Sequence, residues 1–280
     1  MNSWAETMNL FNKSEVKKEE NVSEKYKEQI KELTLLSDIL ITNVLRNNKP
    51  VAELILRTIL NEPKLTIKEL EVQKTIPNYK KRGVRLDMYA VDIENKVYNV
   101  EVQRVNEGAS KRRARFNASL IDKDLLNPSE DFEKLPDVYV IFITERDVLG
   151  SGLAVYEIEK RIKQTGELFD DGSHVIYVNA SVVEDTEIGR LMHDFREENA
   201  NKMYNSLLAE AVRFFKEDKK GVEVMNNSLE KLVVEGKMEE KIETVKRFYK
   251  LGLSFNQIAQ GTELNVEQVK EIISNMNNEV

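Results

Sequence analysis

The chain contains no cysteine, which excludes disulfides and thiolate metal centres. Its two histidines, His174 and His193, leave little for a histidine-based zinc site. No apolar run approaches the ~20 residues of a membrane span, and the first residues are polar, without a signal-peptide core. These absences lead to the expectation of a cytoplasmic protein with no membrane partner. A surplus of basic charge is also missing. The formal net charge is −7, which argues against coating nucleic acid regardless of sequence. A local cationic site is still compatible with that balance, and a bound cation would offset a local acidic pair.

What is present is a globular balance: 280 residues, 41% hydrophobic and 32% charged. That length allows one sizeable core with an appendage. Three regions are expected. Residues 1–30 read as a polar tail, 31–216 as the main domain and 217–280 as a helical region. Within the main domain, the apolar spacing of Leu33–Leu60 predicts two helices broken near Asn47-Asn48-Lys49-Pro50, with Pro50 at a helix start. Strands are expected over Leu65–Pro77, Val138–Thr144, Val155–Ile158 and His174–Asn179. Helices are expected over Ala109–Asn127, Ile188–Phe195 and Asn201–Phe215. Beyond Glu223 the chain reads as helical. Ser254 and Asn265 are each followed three residues on by a glutamine, Gln257 and Gln268, the pattern of capped helix starts. Gly252 and Gly261 sit where preceding helices would stop. The two short helices that result look like a helix-turn-helix.

The most informative segment is Val84–Gln103, two alternating runs around Glu94-Asn95-Lys96. It predicts a β-hairpin. A loop over those three residues would pair Ile93 with Val97 and set Asp87 opposite Gln103. Glu101 and Gln103 share a strand face, so two carboxylates and an amide converge. Hard divalent cations take oxygen ligands from one or two carboxylates and keep positions for water and phosphate. The hairpin therefore reads as a site for phosphodiester chemistry. Mg2+ is the expected ion, with Mn2+ as the other candidate.

These residues carry a resemblance. Asp87 on one strand, Tyr98-Asn99-Val100-Glu101-Val102-Gln103 on the next, and Arg112-Arg113-Ala114-Arg115-Phe116 after it resemble the PD-(D/E)XK nuclease family transposases, relatives of the recombination-promoting nucleases. The resemblance covers roughly Leu33 to Lys216. It implies a restriction-endonuclease-like α/β core, ordered αβββαβ, with a mixed sheet flanked by helices and a helical C-terminal appendage. It also implies metal-dependent hydrolysis of DNA. Asp87 and Glu101 would bind the metal, with the carbonyl of Val102 as a further ligand, and Gln103 would orient water or phosphate. Gln103 stands where the superfamily has lysine, and glutamine can only hydrogen-bond. The resemblance assigns Arg113 or Arg115 to the phosphate as a compensating cation, since guanidinium forks suit phosphate.

Other residues weigh less. Asp38 and Glu53 on the early helices could join a metal shell, but capping or solvated roles are ordinary for such acids. Asn99 shares the face of Glu101 and would border the site. His193 reads as structural and His174 as a surface residue. The second C-terminal helix carries Glu267, Glu271 and a single Lys270, poor charge for approaching phosphate. A homodimer or partner contact is the competing reading of that region. Two rival functions stand beside the nuclease: a nuclease fold that binds without cutting, and a helix-turn-helix regulator. Deleting the chain after about Gly221 should separate core from appendage.

Overall fold

The computed structural model describes residues 26–78, 81–104 and 106–278. Most of the expected N-terminal tail lies outside them. Tyr26 and Ile30, at its end, are buried. Three helices come first, α1 (Lys27–Glu32), α2 (Asp38–Leu45) and α3 (Lys49–Leu60). The break between α2 and α3 falls where the asparagines and Pro50 predict it. Asn47 takes φ 57, the Asn48 side chain accepts from Val51 N, and Pro50 sits in the first turn of α3, where its missing N–H is unneeded.

The strands β1 (Ile67–Asn78), β2 (Lys81–Asp92), β3 (Val97–Gln103), β4 (Val138–Thr144), β5 (Val155–Ile158) and β6 (Ser173–Asn179) form one six-stranded sheet in the order β1-β2-β3-β4-β6-β5. The first three pair antiparallel, β3, β4 and β6 run parallel, and β5 closes the edge antiparallel. Helix α4 (Lys111–Leu125) makes the crossover from β3 to β4. The fold is thus the α/β core with a mixed sheet that the sequence led us to expect.

Two apolar layers hold it. On one face, α1–α3, α5 (Glu187–Arg196) and α6 (Ser206–Glu217) cover Met88, Ala90, Tyr98, Val100, Val102, Ile141 and Ile143. On the other, α4 covers Leu86, Tyr89, Val97, Val140 and Phe142. The central strand β4 is buried on both faces, which explains its unbroken apolar run.

The hairpin loop starts one residue earlier than expected, which shifts the strand pairing by two residues. Val91 pairs with Val97 and Met88 with Val100, and Asp92 N bonds to Lys96 O at 3.1 Å. The loop is therefore Ile93–Asn95 rather than Glu94–Lys96. Asp92 causes the shift: its Oδ1 accepts from Glu94 N and Lys96 N, and its Oδ2 from Tyr98 Oη. Asn95 supplies the left-handed residue at φ 66. Continued one step, this register sets Asp87 against Glu101, not Gln103.

The C-terminal region begins with a 32-residue helix, α7 (Lys219–Lys250), followed by α8 (Phe255–Thr262) and α9 (Val266–Asn278). The start of α7 belongs to the main core, where Met225 is buried and Val222 and Leu229 pack. Its end joins α8 and α9 in a separate small core of Ile242, Val245, Ile258, Val269 and Ile273. Ser254/Gln257 form a capping box and Asn265/Gln268 exchange the same pair of bonds, as expected. Gly252 is left-handed past the end of α7. Gly261 does not end a helix; it lies inside α8, and a Cβ there would come 3.1 Å from the Phe248 ring. Its smallness allows the helices to approach.

These contacts also move the place where the appendage can be cut. A chain ending at Gly221 loses Met225 from the main core and should fail to unfold cooperatively. A chain ending at Glu235, between the two cores, should keep one cooperative transition in urea. Equal behaviour of the two truncations would refute this division.

Candidate functional site

The sheet forks at Asp87. Pairing of β2 with β3 runs from Val91↔Val97 to Met88↔Val100. Past that point β2 continues with β1 as far as Lys81, while β3 continues with β4 as far as Gln103. At the fork Asp87 Oδ2 accepts from Val102 N at 3.1 Å. The carboxylate thus satisfies a β3 amide where the ladder has parted.

A second irregularity lies at the same level. Along β2, Leu86 faces the α4 layer, Met88 the opposite layer and Tyr89 the α4 layer again. Along β1, Val72 faces the α1–α3 layer while Lys74 lies over the Tyr89 ring at 3.6 Å. Alternation slips on both strands at once, so the register is the same on either side: Val72↔Met88 and Lys74↔Leu86. The backbone device is Gln73, left-handed at φ 57. Such a conformation costs a non-glycine residue about 1 kcal/mol or more and persists where the surroundings fix it. Here Gln73 Nε2 lies 3.1 Å from Thr42 Oγ1, 3.3 Å from Asp38 Oδ1 and 3.5 Å from Asp87 Oδ1. The slip aims both Gln73 and Asp87 at α2.

Across the fork, Glu101 is 0% exposed. Its Oε1 accepts from Asn99 Nδ2 at 2.9 Å and its Oε2 from Arg113 Nη2 at 2.5 Å. Arg113 reaches it from the first turn of α4, which Ser110 caps through Arg113 N. The other guanidinium nitrogen, Nη1, donates to Gly108 O at 2.9 Å and to Gln103 Oε1 at 3.2 Å. Gly108 must be small here, because a Cβ would overlap the Gln103 amide. Asn99 is in turn held by Met88 O and by Asn117 Nδ2 of α4.

Asp87 and Glu101 therefore meet with one cation, Arg113, and Asp38 stands at the edge through Gln73. Burial pushes the Asp87 carboxyl up to about 7, and the nearby Glu101 and Asp38 push the same way, against the Val102 N–H and Arg113. Burial also raises Glu101, with Asn99 and Arg113 opposing. Both Glu101 oxygens accept, one of them from a guanidinium, which is the bonding pattern of an ionised carboxylate.

A profile of the family described as "PD-(D/E)XK nuclease family transposase" matches residues 39–246. The chain belongs to the PD-(D/E)XK nuclease family transposases. No curated protein and no solved structure matches it.

In this PD-(D/E)XK chain the sequence-expected residues sit as follows. Asp87, Glu101 and Gln103 come together at the fork. Arg113 joins them, but its guanidinium is engaged by Glu101, Gln103 and Gly108. Arg115 stays apart, exposed and two residues round the helix from Arg113. Asp38 lies at the edge of the cluster through Gln73. Glu53 does not: it accepts from Ile67 N and pairs with Arg57, tying α3 to β1. His193 contacts Asp194 and Tyr204 and is structural. His174 stacks on Tyr139. Gln73 and Asn117 were not foreseen. Gln73 stands among polar neighbours on β1 and Asn117 interrupts the buried stripe of α4, and only tertiary contact reveals their partners.

Among the described residues no three acidic or histidine side chains group as a metal cage. A hard cation of the magnesium type needs only one or two carboxylates. Asp87 and Glu101 suit it: they bring two carboxyl groups to one fork, and the raised Asp87 carboxyl has a proton to give up to a cation.

Replacing Arg113 by methionine should strand a buried carboxylate and cost about 3 kcal/mol. Adding Glu101→Gln should recover at least half of that loss, measured by urea denaturation at pH 8. Additive losses would contradict the pairing.

Proposed function

We propose that the protein is a metal-dependent DNA endonuclease, and that Asp87, Glu101 and Gln103 form its active centre. The observation that carries this reading is the convergence of these three residues at the fork of a PD-(D/E)XK sheet. Asp87, Glu101 and the main-chain carbonyl of Val102 would hold Mg2+ or Mn2+. Such an ion, when bound, lowers the pKa of an attacking water and offsets charge on the scissile phosphate.

The remaining chemistry belongs to the side chains. A guanidinium has donors alone, so the Gln103 atom facing Arg113 is its carbonyl oxygen. The Gln103 NH2 group is thereby turned away from Arg113, available to a phosphate oxygen or to the attacking water. It supplies a donor where the superfamily lysine supplies a charged one. Arg113 is then a positioning residue, which orients Gln103 and keeps Glu101 ionised. Asp87 takes the role of the acid that gives up a proton as the site loads, because its pKa stands near neutrality in the free protein. The family description includes the word transposase, but the fold alone does not specify strand transfer.

Purified protein should nick or linearise supercoiled plasmid with Mg2+ or Mn2+ and not with EDTA. Asp87→Asn and Glu101→Gln should each lower the rate by at least about 100-fold. Gln103→Ala should lower it less, and all three variants should melt as cooperatively as the parent. Unchanged cutting by Asp87→Asn would overturn the site. Absence of cutting by the parent would favour the binding-only form of the fold.

A further inference from the structure

Beyond the fork the β1–β2 pair parts from β3 and continues as a two-stranded ribbon. Residues Lys81–Leu86 of β2 pair with β1 and not with β3. At about 3.3 Å per residue the ribbon reaches roughly 20 Å from Asp87. One side of it is anchored. Ile76 and Leu86 are buried against the α4 layer, Lys123 Nζ bonds to Pro77 O at 3.4 Å, and Lys74 pairs with Asp124. The other side is open, with Thr75 and Arg85 opposite one another and exposed.

Its charge is one-signed. The described ribbon residues 74–78 and 81–86 include Lys74, Lys81, Arg82 and Arg85 and no acid. In a chain of net charge −7 this is a local reversal. Lys81, Arg82 and Arg85 are exposed and, among the described residues, take part in no ion pair. Arg85 follows the same strand side as Asp87, two residues away. The ribbon is also slim, because at Gly83 a Cβ would sit 2.6 Å from Ile76 O.

We propose that this ribbon is the arm that engages duplex DNA, with Arg85, Arg82 and Lys81 on the phosphates beside the cut. The proposal rests on the nuclease reading and gives its substrate a form. A two-stranded ribbon fits a major groove about 12 Å wide. Cation contacts to phosphate are what the ribbon offers. Arg113 cannot fill that role while Glu101 holds it.

The test uses the full chain with the triple substitution Lys81→Gln, Arg82→Gln, Arg85→Gln. A control of equal charge change carries Lys219→Gln, Lys231→Gln and Lys237→Gln on the exposed side of α7. Binding to a labelled duplex, and to one of its strands alone, is followed by anisotropy against salt with Ca2+ in place of Mg2+. Each lost phosphate contact should flatten the slope of log K against log salt by about 0.9, so the triple variant should lose about 2 to 3. The control should keep the parental slope, and the single strand should bind the parent more weakly than the duplex. A parental slope in the triple variant, or preference for the single strand, overturns the ribbon. If the parent still cuts plasmid with Mg2+, only the ribbon falls. If the parent neither binds nor cuts, the nuclease reading falls with it.

Discussion

The buried carboxylate of Glu101 is the constraint on which the site depends. A fully enclosed negative charge costs several kcal/mol unless it is met by donors and counter-charge. Asn99 meets one oxygen and Arg113 the other. Each of these is then fixed in turn: Asn99 by Met88 and Asn117, and Arg113 by Gly108 and the capped start of α4. One charge on β3 thereby sets how α4 docks, which side of the Gln103 amide faces out, and why glycine stands at position 108.

The second constraint is the fork. β2 leaves β3 after Met88, and the simultaneous slip at Gln73 and Asp87 lets the outer ribbon keep its register while turning an acid toward Gln73 and α2. Asp87 receives the Val102 N–H and stands beside Glu101 and Asp38. Proximity of like charges and burial both favour its protonated form. In the proposed reading such a carboxyl would give up its proton as a cation binds.

Much of this was legible in the sequence. Alternation located β2, β3 and β4, capping residues located α8 and α9, and the motif residues Asp87, Glu101 and Gln103 named the cluster. The failures have local causes. The loop of the hairpin moved by one residue because Asp92 binds the turn amides and Tyr98, a preference that hydrophobic alternation does not encode. Gln73 was invisible because a left-handed glutamine in a strand has no sequence signal and is held by contacts from α2. Gly261 resembled a helix stop but serves a close helix contact with Phe248. Arg113 was expected at a phosphate, whereas the buried partner across the sheet claims it. In each case the tertiary partner decided between two locally acceptable roles.

As proposed, Asp87 and Glu101 form one cation site whose empty state carries a proton on Asp87. Calorimetric titration of the purified protein with Mn2+ at pH 6.5, run in two buffers of different ionisation enthalpy, tests it most directly. The account predicts one ion per chain and release of a sizeable fraction of a proton on binding, with both lost in Asp87→Asn. Binding that persists in Asp87→Asn, or that releases no proton in the parent, would contradict it.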